Sequence, residues 1–275
     1  MSHNNQKKIA VINDFSGFGR CSVAVELPII SALKIQCCVV PTSIFSNHSG
    51  YEDFYFDDYT EKMNNYIEQW KKLDLRFEGI ATGFLGSVTQ IEIVSDFIKE
   101  FKSEDTQVVI DPVIGDDGVA YSTYTDEMCR EMKRLVSYAN IITPNLTEAC
   151  MLTDTEYKDT MSREEIEKML EKLSKLGPDK IVITGLKQGK YLTDAIYENH
   201  HKIHFLKNPK IGQERAGTGD IFAAIIAADA VNGVGFKQSV MRATEFIRKC
   251  IERSIELDIP QEDGLCFEEY LTTLR

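Results

Sequence analysis

Arg215-Ala216-Gly217-Thr218-Gly219-Asp220, running directly into Ile221-Phe222-Ala223-Ala224-Ile225-Ile226-Ala227, is the stretch on which the reading of this chain turns. Its two glycines let the backbone bend sharply and present successive N–H groups at the start of a small-residue helix expected over residues 217–231. Partial positive charge at such a terminus favours phosphate, so Gly217, Thr218 and Gly219 read as an anion hole. An aspartate in the same turn would repel a phosphate sharing its space, which gives Asp220 a different role, that of taking a proton from a hydroxyl nucleophile. The competing reading is that Asp220 merely caps the helix.

Upstream lie Asp111-Pro112-Val113-Ile114-Gly115-Asp116 and Thr143-Pro144-Asn145-Leu146-Thr147-Glu148. Carboxylates and an amide at the ends of two strands can converge on a hard cation, and Mg²⁺ typically takes one or two carboxylates together with substrate phosphates and water. Taken singly, Asp111 before Pro112 could simply end a strand, and Glu148 could sit in the first turn of a helix. Their joint occurrence favours a phosphate-bound metal.

Around these segments, short apolar runs alternate with longer amphipathic ones, the pattern of a parallel sheet with crossover helices. Strands are expected at residues 9–12, 37–40, 79–82, 108–110, 140–143 and 181–184, helices at 22–33, 60–73 and 238–257, and a hairpin at 192–206. Residues 13–19 read as turn-rich, and 43–58 as a loop or flap across a ligand site. Gly83, Asp111, Asn145 and Gly185 fall where strands give way to loops, the edge at which ligands gather in open α/β sheets.

Composition agrees with a compact enzyme-sized chain. At 275 residues, 43% hydrophobic and 27% charged, it is expected to fold as one domain over residues 1–275. Lys+Arg 31 against Asp+Glu 43, a formal charge of −12, is the wrong field for wrapping nucleic acid. Seven cysteines without a C-x-x-C or zinc spacing read as reduced thiols. A polar amino-terminal stretch and no bilayer-length apolar run lead to an expected cytoplasmic location, away from membranes.

Other motifs are weaker. Gly17-Phe18-Gly19-Arg20-Cys21-Ser22 resembles a dinucleotide fingerprint, but Ser22 stands where the last Gly or Ala should be and no acid follows near the end of the next strand to hold a ribose. Residues 185–191 lack P-loop spacing, which leaves Lys187 and Lys190 as surface lysines. Phe45-Ser46-Asn47-His48-Ser49-Gly50-Tyr51 could stack on a planar heteroaromatic substrate, with a packed loop as the alternative. Phe54-Tyr55-Phe56 reads as core or interface, and His3, His200, His201 and His204 as tail and hairpin surface.

Taken together, Phe45-Ser46-Asn47-His48, Thr82-Gly83-Phe84-Leu85-Gly86-Ser87, Asp111 to Asp116, Thr143 to Glu148 and Gly217-Thr218-Gly219-Asp220 resemble the pyridoxal kinase (pyridoxine/pyridoxamine kinase) branch of the ribokinase-like superfamily. The resemblance implies a three-layer α/β/α sandwich on a mostly parallel sheet. It also implies ATP-dependent phosphorylation of the 5′-hydroxymethyl group of a vitamin B6 vitamer. In those terms Asp220 is the base, while Asp111, Thr143 and Glu148 arrange Mg²⁺ and a monovalent cation such as K⁺. Asp116, Asn145, Thr184 and Gly185 lie along the ATP site, and residues 115–124 form a lid over it. Phe45, His48, Ser49 and Phe84 face the pyridine, with Asp14 and Ser16 competing for a contact from the first loop. Ser49 stands where relatives often have threonine and Phe84 where they often have tyrosine, which keeps a ring face but loses a hydroxyl. A homodimer is implied as well. Alternatives are a hydroxymethylpyrimidine kinase of the thiamin pathway and a non-catalytic nucleotide or vitamer sensor. No cysteine lies in the lid, where some dual-specificity relatives carry one, and Cys129 falls beyond it.

Overall fold

Alternate burial builds the centre of the molecule. In β1 (Lys8–Phe18), Ile9 and Val11 join one apolar cluster and Ala10 and Ile12 another, and all four are fully buried. A strand covered on both faces belongs to a sheet sandwiched between helices. The computed structural model describes residues 4–122, 124–198 and 202–275. After β1 come α1 (Val23–Ala32), β2 (Gln36–Asn47), β3 (Phe56–Asp58), α2 (Thr60–Lys72), β4 (Gly79–Thr82), α3 (Val88–Phe101) and β5 (Gln107–Ile110). A small hairpin, β6 (Gly115–Asp116) and β7 (Val119–Ala120), precedes α4 (Asp126–Val136), β8 (Ile141–Ile142), α5 (Leu146–Leu152) and α6 (Arg163–Ser174). The chain continues through β9 (Lys180–Gln188), β10 (Tyr191–Glu198), β11 (Lys202–Pro209), α7 (Thr218–Asn232) and α8 (Phe236–Glu256), and closes in a 3-10 helix over Glu268–Leu274.

Among the described residues these strands form a nine-stranded sheet in the order β11-β10-β9-β8-β5-β4-β1-β2-β3. From β9 through β2 every pairing is parallel, while β10, β11 and β3 pair antiparallel at the two ends. Helices α2 to α6 cover one face and α1, α7 and α8 the other, giving two apolar layers around the sheet. The expected α/β/α sandwich is the fold observed. Helix α7 is apolar all round, as its position between the sheet, α1 and α8 requires.

Three local expectations are corrected. Residues 13–19 are not a turn: β1 runs on to Phe18 through a bulge between Asn13 and Phe15, because β2 also continues and pairs Phe15 with Ile44 and Ser16 with Phe45. Residues 43–58 are not a plain loop, since Ser43 to Phe45 pair antiparallel with β3. Nor does β9 end at Thr184. It bends at Gly185, with φ +69°, and continues to Gln188 against β10. In each case a neighbouring strand supplies the backbone hydrogen bonds that outweigh local turn propensity. The 192–206 hairpin is present as β10 and β11, aligned from Tyr191 opposite Pro209 to Glu198 opposite Lys202. His3, His200 and His201 lie outside the described residues, as does Thr123 of the expected lid.

Candidate active site

At the head of α7, Gly217 takes the N-cap position in the left-handed region, φ +75°. A Cβ there would come within 1.8 Å of the Arg20 carbonyl oxygen, so only glycine lets this turn close against the end of β1. The first N–H groups of α7 have no intrahelical acceptors, and residues 217–220 line the cleft in front of the sheet. Asp220 does not cap the helix. Its Oδ2 accepts from the Ser22 N–H at 2.8 Å and its Oδ1 from the Asn13 amide at 3.3 Å.

The cleft has a volume of about 600 Å³. It gathers Asp111, Asp116, Thr143, Asn145, Glu148, Thr184 and Gly185 with Gly217, Thr218, Gly219 and Asp220. These residues come from the carboxyl ends of β5 and β8, the bend in β9, the β6–β7 hairpin and the start of α7. A smaller hollow of about 220 Å³ beside α6 holds none of them.

Asp111 accepts from the Thr143 hydroxyl through Oδ1 at 3.1 Å, and its Oδ2 stands 3.6 Å from where a Gly219 Cβ would be. Glu148 is engaged twice by backbone: Oε1 accepts from Ile114 N–H at 3.1 Å and Oε2 from Asn145 N–H at 2.8 Å. Asn145 in turn caps α5 by accepting from Glu148 N–H, so the two form a capping box. The structural reading of Glu148 as a first-turn helix residue is therefore correct, whatever else it does. Burial, foremost, and then the charges of Glu148 and Asp220 push Asp111 well above the usual carboxylate range. Burial also raises Glu148, against the pull of its backbone donors. Asp220 is raised by burial and held back by Ser22 N–H, the Asn13 amide and His48.

Among the described residues no group of three or more His, Cys, Asp or Glu side chains is arranged to hold a metal ion. Asp111, with one carboxylate oxygen facing the Gly219 turn, still suits a hard cation whose remaining ligands are phosphate oxygens and water. Residues present thus fit a substrate-completed Mg²⁺ site rather than a protein cage.

The six residues expected near the acceptor do not line this cleft. Asp14 and Ser16 are buried together at the bulge in β1, and the Ser16 hydroxyl donates to Asp14 Oδ2 at 3.3 Å. Burial, then the charge of Asp220, lifts Asp14 to about 7. Phe45 and Phe84 meet edge-on with ring centroids 6.2 Å apart, and Phe45 also packs on Phe54 and Phe56. His48 is turned toward the C-terminal segment, its Nε2 2.7 Å from the Glu262 carbonyl, with its ring against Tyr51. Ser49 is exposed in the turn that follows. Phe54, Tyr55 and Phe56 are 44%, 66% and 44% exposed, which removes the core reading for that stretch.

What joins the two groups is Asn13. Its Oδ1 accepts from Phe84 N–H at 2.8 Å while its Nδ2 donates to Asp220, so Asp220 stands one side chain away from the aromatic pair. Sequence reasoning passed over Asn13 as part of a turn, and also missed Glu26. A visible signal existed for Glu26: a lone acid inside Val23-Ala24-Val25-Glu26-Leu27-Pro28-Ile29-Ile30, on the face shared with Val23, Ile29 and Ile30. Two further residues of the cleft were missed. Asp194 accepts from Gly185 N–H and the Thr244 hydroxyl and is raised by burial to about 6. Lys187 is not free surface, since it pairs with Asp117 at the tip of the β6–β7 hairpin and lies 3.7 Å from Glu214 across the cleft.

Comparison with known proteins adds the lineage. The phosphomethylpyrimidine kinase family model matches residues 25–263. The chain is 31% identical over 188 residues to the hydroxymethylpyrimidine/phosphomethylpyrimidine kinase of Bacillus subtilis (strain 168), and 30% identical over 185 residues to the pyridoxine kinase of the same organism. Each alignment covers 66% of this chain and 66% of the relative. A candidate phosphomethylpyrimidine kinase of Bacteroides thetaiotaomicron VPI-5482, at 38% identity, superposes with a TM-score of 0.97 over 100% of this chain and 96% of its own in one crystal form. In a second form, crystallised with pyridoxal, the TM-score is 0.94 over 98% and 96%. Since the matched region runs from α1 through the head of α7 to the segment after α8, the chain belongs to the phosphomethylpyrimidine kinase family of ribokinase-like kinases.

Proposed function

We propose that this kinase transfers the γ-phosphoryl group of ATP to the 5′-hydroxymethyl group of a vitamin B6 vitamer, pyridoxal, pyridoxamine or pyridoxine. The observation that carries the reading is the position of Asp220, in the lining of the cleft beside the α7 turn and one amide away from the Phe45–Phe84 pair. The adenine nucleotide lies along Asp116, Asn145, Thr184 and Gly185, with its terminal phosphate at the N–H groups of residues 217–219. Phosphoryl transfer asks a protein mainly for alignment and for charge neutralisation as the group moves between oxygens. The head of α7 supplies fixed donors for the developing charge. Mg²⁺, held through Asp111 with Thr143 and Glu148 behind it, would neutralise charge on the phosphates, with K⁺ as the candidate monovalent ion. Asp220, whose carboxylate burial makes more basic, takes the acceptor's hydroxyl proton late in the step. The acceptor ring is flanked by Phe45 and Phe84, with Asp14 or Ser16, His48 and Ser49 around it. The β6–β7 hairpin, clasped through Asp117 to Lys187, is the lid that keeps water from the phosphoryl group.

The same reading makes the protein a homodimer. Phe15, Phe18, Ile44, Phe54, Tyr55 and Phe56 are all at least 38% exposed on or beside the extended ends of β1, β2 and β3, and this run of exposed apolar side chains supports the reading. Among the described residues no helix is long and apolar enough to cross a membrane. The charge balance disfavours nucleic acid, and the cytoplasm is the proposed location.

A second reading, a hydroxymethylpyrimidine kinase, draws support from the matching family model and the 31% identical Bacillus subtilis enzyme. Side-by-side initial rates on pyridoxal, pyridoxamine, pyridoxine and hydroxymethylpyrimidine with MgATP separate the two, and strong preference for the pyrimidine overturns the first. ATP binding without ADP formation on any of the four would identify a sensor. Asp220→Asn is expected to retain ATP binding and lose about 10²–10⁴-fold in turnover, the usual contribution of a positioned base.

A further inference from the structure

Asn13 spends every hydrogen-bonding position of its amide inside the protein. Oδ1 accepts from Asp14 N–H at 2.9 Å and Phe84 N–H at 2.8 Å, and Nδ2 donates to Glu26 Oε2 at 3.0 Å and to Asp220 Oδ1 at 3.3 Å. With two backbone donors facing the oxygen, the amide cannot flip. A flip would set the NH₂ group against those N–H groups and leave both carboxyl groups without their donor. The loop after β4 is shaped to admit this side chain, since a Cβ on Gly83 would stand 2.3 Å from Asn13 Nδ2.

Glu26 is the unexplained member. It lies in the first turn of α1, 2% exposed, in an otherwise apolar run, and its carboxyl meets the Asn13 amide. Burying a carboxyl costs several kcal/mol unless it is bonded or neutral. That cost needs a reason, and the phosphoryl chemistry assigned to the cleft does not use Glu26.

We propose that Asn13, braced by Glu26, is a positioning pair that sets the orientation of the Asp220 carboxylate toward the acceptor hydroxyl. This rests on the reading of Asp220 as the base. The Ser22 N–H holds one oxygen of Asp220 and the Asn13 amide the other, so two donors from opposite sides fix the plane of the carboxylate. Glu26 prevents the amide from swinging away, because its acceptor lies on the far side of the same NH₂ group. Burial, then the charge of Asp220, pushes Glu26 well above the usual carboxylate range, and its Oε2 at 3.0 Å from the amide nitrogen is the contact that braces Asn13. The same amide, through Phe84 N–H, ties the orientation of the base to the ring that flanks the acceptor.

The test is steady-state kinetics with MgATP on whichever of pyridoxal and hydroxymethylpyrimidine the wild type phosphorylates faster. Asn13→Asp is nearly isosteric, keeps an oxygen toward Asp14 and Phe84 N–H, and loses both donors. It is expected to lower kcat roughly 10- to 100-fold with KM for ATP within about threefold, as for a misplaced but present catalytic group. Glu26→Leu is expected to lower kcat by roughly 10-fold, and Glu26→Gln, which keeps an oxygen acceptor, to recover most of that loss. In an Asp220→Asn background, Asn13→Asp should cost less than about twofold more, because residues that act as a unit do not add. If Glu26→Leu does not fold, as judged by circular dichroism, the Asn13→Asp series decides alone. A kcat for Asn13→Asp within about twofold of wild type, or a full multiplicative loss on top of Asp220→Asn, overturns the positioning pair while leaving the base in place. Wild-type turnover in Asp220→Asn instead removes the base, and the pair with it.

Discussion

Gly217 and Gly219 sit two residues apart in the same turn, and the structure assigns them opposite sensitivities to one added methyl group. At Gly217 the backbone is left-handed, φ +75°, and a Cβ would stand 1.8 Å from the Arg20 carbonyl oxygen and 3.1 Å from Cys21 Cα. The left-handed conformation costs a non-glycine residue about 1–2 kcal/mol. Relieving overpacking against backbone, which cannot rotate away, adds about 1–3 kcal/mol. Gly217→Ala is therefore expected to lose about 2–5 kcal/mol, a large share of the roughly 5–15 kcal/mol that holds a typical protein folded. At Gly219 the φ is not positive and the one nearby atom is Asp111 Oδ2 at 3.6 Å, an ordinary contact. Alanine there should leave stability unchanged or raise it by up to about 1 kcal/mol, since the position is helical. It nevertheless places a methyl group between Asp111 and the turn assigned to phosphate, so turnover should fall while the fold holds. Urea unfolding followed by circular dichroism, with linear extrapolation, gives the first quantity for both variants. Initial rates at saturating ATP give the second. A Gly217→Ala protein within about 0.5 kcal/mol of wild type would refute the argument from the close approach of the Arg20 carbonyl.

Asp14, 5% exposed, has its pKa lifted from 3.8 to about 7 by burial and the nearby charge of Asp220. A carboxyl raised in the folded state binds protons more tightly there, so its stability penalty is absent below about pH 4, grows between about 4 and 7, and is complete above that. Asp14→Asn should stabilise the protein at pH 8 by up to roughly 4 kcal/mol and hardly at all at pH 4, and equal effects at both pH values in urea titrations would contradict the burial argument. Asp229 is fully buried in α7 with Arg242 of α8 at 2.6 Å and the Ser239 side chain also beside it, and its Oδ2 lacks a well-formed hydrogen bond among the described residues. Arg242→Ala leaves that charge uncompensated and should cost about 3–5 kcal/mol, while a double change of Asp229→Ala with Arg242→Ala should recover part of the loss; a single-variant cost under about 1 kcal/mol would show the pair to be dispensable.

Much of the architecture was legible in the order of residues alone. Runs such as Ile9-Ala10-Val11-Ile12 and Ile181-Val182-Ile183 are short and apolar at every position, as strands covered on both faces are, and longer helical stretches separate them. The turn at 217–219 was legible too, because glycine is the residue that a left-handed N-cap demands. Less could be read at the extended ends of β1 and β2. Asn13 to Phe18 carries turn residues, yet it is strand, because the second extended chain beside it supplies hydrogen bonds that local propensity does not count. Lys187 gave no signal, since its partners Asp117 and Glu214 lie far away in sequence.

By itself, then, the sequence determined the alternation of strands and helices, the glycine turn at 217–219 and the acid placed just inside it, because hydrophobic periodicity and glycine's conformational freedom are properties of neighbouring residues. Only the tertiary structure decided that Asp220 is no cap, that Glu148 is held by two backbone donors, and that residues 13, 26 and 220 share one amide. The reason is physical: the bonds among residues 13, 22, 26 and 220 depend on α1 and α7 lying against the same face of the sheet beside β1, and the bond from Ile114 to Glu148 on α5 packing beside β6, arrangements set by strand order and layer packing that no local window of residues contains.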